Sequence, residues 1–166
     1  MRQITINADG YANDQIPGML EERGICMNYY AEEYISHPRF SVHDSGCITV
    51  AIMSLQEIGF ENGATLLEIH QRLPQVGLKP CSPGTGLLLR LAWFDQPKSQ
   101  NSILSGTHEA PDQAVTVLSE PLEQSDDFPK GLYLRNVDGK LWLRGYICDS
   151  EYKFPNDALF AFETIS

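Results

Sequence analysis

The chain has 166 residues, of which 42% are hydrophobic and 20% are charged, and its formal net charge is −10. This size and composition predict a globular chain with its own core, so intrinsic disorder and a scaffold that depends on disulfides or metals are not expected. The acidic balance repels phosphate backbones, which argues against a nucleic-acid partner.

The first half of the chain carries mainly helical signals. A short strand is expected at 3–7, and short helices are expected at 17–23 and 28–35. Capping and first-turn residues then predict three longer helices, between Ser45 and Gly59, from Thr65 to Pro74, and from Pro83 to about Phe94. The last of these is apolar on nearly every side and should be the buried helix of the domain.

The second half carries mainly strand signals. A loop at 95–112 is long for a passive connection, and strands are expected at 114–118 and 159–163. Between them, Asp138-Gly139 is the favoured two-residue turn of a hairpin at 132–147. The sequence therefore predicts one α+β domain over residues 1–166, with a helical half to about residue 94 and an antiparallel sheet of about four strands over 113–166.

A core can be predicted from the apolar stripes of these helices and the inner face of the hairpin. Its expected members are Ile48, Ile52, Leu55, Leu66, Ile69, Leu73, Leu87, Leu91, Trp93, Leu134 and Leu143.

The four cysteines, Cys26, Cys47, Cys81 and Cys148, lie far apart and form no C-x-x-C pair. This spacing predicts neither a zinc site nor a disulfide framework, and no cofactor is indicated. The N-terminal residues lack a signal-peptide pattern, and the apolar-rich run at 46–55 is only half a membrane span. We therefore expect a cytoplasmic protein with no membrane partner.

One candidate for chemistry is Cys47, which the sequence places in the first turn of the helix before Gly59, where backbone N–H groups would activate a thiol. The stretch 43–73 resembles the segment that carries the nucleophile in papain-like cysteine peptidases. This resemblance implies a hydrolase with Cys47 as nucleophile, His108 as base and Asp112 as orienting acid. His43 is an alternative base for the same thiol.

A second candidate is the hairpin. With Asp138-Gly139 as its turn, the register predicts that Arg135 faces Trp142 and that Tyr133 faces Arg144. One face then carries arginines among aromatic rings, and we call it the outer hairpin face: Tyr133, Arg135, Trp142, Arg144 and Tyr146. Such residues dominate binding energy at interfaces, although the same face can also pack beneath the long loop.

A third interpretation takes the three longer helices and the hairpin as a winged helix that binds nucleic acid, but the apolar third helix does not suit DNA recognition. The preferred hypothesis is a binding or regulatory module that contacts a protein partner through the outer hairpin face. The acidic charge favours a basic partner.

Overall fold

The computed structural model describes residues 1–9, 11, 14–42, 46–100 and 112–165. In chain order these residues form β1 (Arg2–Asn7), α1 (Ile16–Glu22), β2 (Cys26–Met27), α2 (Tyr29–Ile35), β3 (Cys47–Ser54), α3 (Leu66–Arg72), a 3-10 helix (Leu73–Val76), β4 (Leu78–Lys79), α4 (Thr85–Ala92), β5 (Val115–Val117), β6 (Gly131–Val137), β7 (Lys140–Tyr146) and β8 (Leu159–Thr164). None of the helices in these ranges is long and apolar enough to cross a membrane.

The strands of the described ranges join one mixed sheet in the order β1-β3-β8-β5-β6-β7-β2, and β4 pairs with β8. The pairs β5–β8 and β2–β7 are parallel, whereas the other strand pairs are antiparallel. The predicted helical half followed by a four-stranded antiparallel sheet is therefore wrong. Four strands come from the first half of the chain, and the sheet has eight.

The largest local difference concerns Cys47–Ser54, which the sequence predicts as a helix and the structure shows as β3. Val50 and Ile52 lie in the core on one face of the sheet, while Ala51 lies in the core on the other face. A strand that is buried on both faces has apolar residues at consecutive positions, so it also fits the spacing of a helix. Four of its eight residues are β-branched, which favours the strand. The winged-helix interpretation thereby loses one of its three helices.

The sheet has helices on both faces. On one face, α1, α2 and α4 pack on β1, β3, β5, β6 and β7 and form the larger core. On the other face, Ile69 of α3 and Leu73 of the 3-10 helix pack on Ala51 of β3 and on Phe160 and Phe162 of β8. The outer hairpin face is on this second side of the sheet, beyond β5.

A buried arginine joins α4 to the hairpin. Arg90 is fully buried, and its guanidinium donates hydrogen bonds to Gln96 Oε1 at 2.6 Å and to the Trp93 carbonyl oxygen. Longer contacts of 3.5 and 3.4 Å reach the carbonyl oxygens of Arg135 and Trp142 in β6 and β7. Burial lowers the pKa of Arg90 to about 10. This side chain thus fixes the hairpin against the helix layer.

Candidate functional site

The hairpin predicted at 132–147 is present as β6 and β7, and its tight turn is made by Asp138 and Gly139. Both turn residues have positive φ, 53° and 74°, which is the conformation that this two-residue turn requires. The turn sets a register in which Arg135 faces Trp142 and Tyr133 faces Arg144, as the sequence predicts.

Burial divides the outer hairpin face into two parts. Tyr133 and Arg135 in β6 are buried, with 8% and 0% of their surface exposed. Trp142, Arg144 and Tyr146 in β7 are partly exposed. The five residues lie side by side, but only the β7 residues offer accessible surface.

Arg144 contacts two aromatic rings. Its Nε donates a hydrogen bond to the Tyr133 hydroxyl at 2.7 Å. Its guanidinium carbon lies 5.1 Å from the centre of the Trp142 ring and 5.9 Å from that of Tyr133, which is the range of cation–π attraction. Contacts within the chain therefore position this guanidinium.

Arg135 is covered by the chain that follows α4. Its Nε donates to Ser99 Oγ at 2.9 Å, and this hydroxyl in turn donates to the Asp112 carbonyl oxygen. The pKa of Arg135 is lowered, mainly by burial and also by the nearby charge of Arg144. Arg135 thus contributes positive charge and support to the site rather than contact surface.

The aromatic surface continues past the end of β7. The ring of Tyr146 contacts Phe154 edge to face at 6.4 Å, and Phe154 contacts Tyr152 in the same way at 4.8 Å. Tyr152 is 41% exposed. Burial of its hydroxyl raises the pKa of Tyr146 well above its ordinary value, so only part of the Tyr146 ring is accessible. Sequence reasoning missed Tyr152 and Phe154, although their alternation just before Pro155 was an available signal.

Cys47 begins β3 and pairs with Asn7 of β1. The expectation that it lies in the first turn of a helix is wrong, so the activation that a helix N-terminus supplies does not apply to it. Its side chain is exposed. His108 and His43 lie outside the described residues, so the pairing of the Cys47 thiol with either base stays a prediction.

Asp112 lies toward the opposite end of the sheet from Cys47. Val115 of β5 pairs with Leu159 of β8, and Leu159 pairs with Ser54 at the C-terminal end of β3. The length of β3 separates Ser54 from Cys47, about 23 Å along an extended strand. The register therefore does not bring Asp112 and Cys47 together.

In the parts of the chain that the structure describes, no group of three His, Cys, Asp or Glu side chains is placed to hold a metal ion. Comparison with known proteins finds no matching family, no matching curated protein and no matching solved structure.

Proposed function

We propose that this chain is a binding module that contacts a protein partner through Trp142, Arg144 and Tyr146, the accessible part of the outer hairpin face. The observation that carries the proposal is the position of Arg144, which lies against the rings of Trp142 and Tyr133 while remaining partly exposed. Rigid aromatic rings and an ordered arginine lose little conformational entropy on binding, which is why such groups dominate interfaces.

The surroundings of the site support a protein as the partner. Tyr152 and Phe154 extend the aromatic surface beyond β7, and neighbouring ring contacts hold them in place. The net charge of −10 opposes the approach of nucleic acid and favours a partner with positive net charge. A reducing, cytoplasmic setting is part of the proposal, because all four cysteines are free.

The test is affinity capture from the source cells with matched variants of the immobilised protein. Trp142→Ala and Arg144→Ala remove the accessible groups, and Arg39→Ala removes an exposed arginine from another surface. We expect one protein that the wild type and the Arg39→Ala variant capture equally. Each hairpin variant should weaken its binding by more than about fivefold, or roughly 1 kcal/mol.

Folding must be measured in parallel. Trp142 is partly exposed, so Trp142→Ala should lower the free energy of unfolding by less than the roughly 3–5 kcal/mol that truncation of a core aromatic costs. If no captured protein depends on Trp142 or Arg144 in folded variants, the proposal is wrong.

A further inference from the structure

The guanidinium of Arg144 uses only part of its hydrogen-bonding capacity inside the chain. Nε is occupied by the Tyr133 hydroxyl, and the rings of Trp142 and Tyr133 flank the group. Within the described ranges, the two terminal nitrogens of Arg144 form no hydrogen bond and no ion pair. An ordered, partly buried guanidinium therefore presents its terminal donors without an internal acceptor.

The local charge reinforces this arrangement. Arg135 lies close enough for the two guanidinium charges to repel each other, and Asp112 and Asp138 offset the charge of Arg135. No carboxylate of the described chain pairs with Arg144. Among the described residues the charge of Arg144 thus lacks a paired carboxylate, although the whole chain is acidic.

We infer that the terminal nitrogens of Arg144 bind a carboxylate of the protein partner, carried by an Asp or Glu side chain; this inference rests on the proposed function. Arginine presents donors in a fork that matches the two oxygens of a carboxylate. Because the Trp142 ring keeps water from one face of the guanidinium, such a pair is screened less than an ion pair on an open surface.

A basic partner and an acidic contact residue are compatible, because they act over different distances. Charges further apart than the Debye length, about 8 Å at physiological salt, are largely screened from one another. The net charge therefore acts mainly on the approach of the partner, while contact chemistry at Arg144 selects the residue that docks. A phosphate would carry about twice the negative charge toward an acidic protein, which favours a carboxylate.

The probe is a random peptide library whose C-termini are blocked. Peptides that bind the wild-type protein are kept, and peptides that also bind a Trp142→Ala, Arg144→Ala double variant are removed. Peptides that survive are synthesised as C-terminal amides, so that side chains supply their only carboxylates. Each Asp or Glu is then replaced by its amide, and binding is measured to the wild type, Arg144→Ala and the control Arg39→Ala.

We expect selected peptides to contain one carboxylate whose replacement weakens binding to the wild type by about tenfold. The same replacement should have no effect on binding to Arg144→Ala, because the two changes remove one interaction. Arg39→Ala should bind as the wild type does. A further substitution, Arg144→Lys, should recover only part of the affinity, because the charge remains while the fork is lost.

The failure of this inference can be told from failure of the proposed function. If peptides depend on Trp142 but bind equally well after every carboxylate is replaced, the carboxylate inference is wrong and the binding surface stands. If no selected peptide depends on Trp142 or Arg144, both are wrong.

Discussion

The buried guanidinium of Arg90 connects α4 to the hairpin, and replacing it with methionine tests that role. Two close hydrogen bonds would be lost, to Gln96 Oε1 and to the Trp93 carbonyl. A hydrogen bond that involves a charged group contributes about 1.5–3 kcal/mol, so the pair contributes roughly 3–6 kcal/mol. Arg90→Met keeps most of the buried volume and removes these bonds.

The cost of burying the charge offsets part of that contribution. Burial lowers the pKa of Arg90 from 12.5 to about 10, which corresponds to about 3 kcal/mol against the charged form. Arg90→Met should therefore lower the free energy of unfolding by up to about 3 kcal/mol. Arg90→Ala also leaves a cavity and should cost about 3–5 kcal/mol.

Urea denaturation of both variants measures these differences directly. Arg39→Met, at an exposed position, is the control and should change stability by less than about 0.5 kcal/mol. The Ser99 amide donates a hydrogen bond to the Asn136 carbonyl. Hydrogen exchange at this amide should be faster in Arg90→Met than in the wild type, because the network beside it is weakened. If Arg90→Met is more stable than the wild type, the hydrogen bonds of Arg90 do not outweigh the cost of burying its charge, and the stabilising role of this network is refuted.

Two further predictions concern other parts of the chain. Gly63 has a φ of +80°, and a Cβ there would lie 2.2 Å from a backbone carbonyl oxygen, so Gly63→Ala should destabilise the fold by more than about 2 kcal/mol. The control is Gly18→Ala, in open space in α1, which should stabilise the fold by up to about 1 kcal/mol. Equal melting temperatures for these two variants would contradict the close approach at Gly63. Burial raises the pKa of Cys148 to about 11 and that of Cys81 well above its ordinary value, so few of these thiols are deprotonated at pH 8, and iodoacetamide should label both much more slowly than the exposed Cys47. Mass spectrometry of peptides from the native protein would refute this expectation if Cys81 or Cys148 were labelled as fast as Cys47.

Local signals in the sequence were sufficient where a few neighbouring residues determine the structure. The capping box of Thr65 and Glu68 is formed at the start of α3, and the Asp138-Gly139 turn sets the hairpin register. Nine of the eleven residues expected in the core are buried, while Ile48 and Leu66 are partly buried against it. Apolar patterning thus predicted which residues are inside even where it predicted the wrong element.

The arrangement of the sheet depends on contacts between distant segments, which single-sequence patterns do not encode. Strands β2 and β4 have two residues each, too few for alternation to be recognised. Strand β2 pairs with the free side of β7, and β4 pairs with the end of β8 that extends past its pairing with β5. The sequence predicts a helix at the internal strand β3 because apolar residues lie on both faces of that strand.

The same limit applies to the candidate site. The hairpin register was predictable, because the turn and the alternation are local. The burial of Arg135 was not, because Ser99, its hydrogen-bond partner, comes from 36 residues away. The extension of the surface to Tyr152 and Phe154 likewise depends on how the chain after β7 folds back on the sheet.

The environment of Trp142 in the bound state tests the central claim most directly. The chain has two tryptophans, and Trp93 is buried, with 4% of its surface exposed. A Trp93→Phe variant therefore leaves the partly exposed Trp142 as the single tryptophan whose emission is measured. The variant is saturated with the captured protein, and that protein's own emission is subtracted. If the outer hairpin face binds the partner, Trp142 emission should shift to shorter wavelength and be quenched less by acrylamide, because the ring loses contact with water. Unchanged emission and quenching at saturating partner would contradict the account.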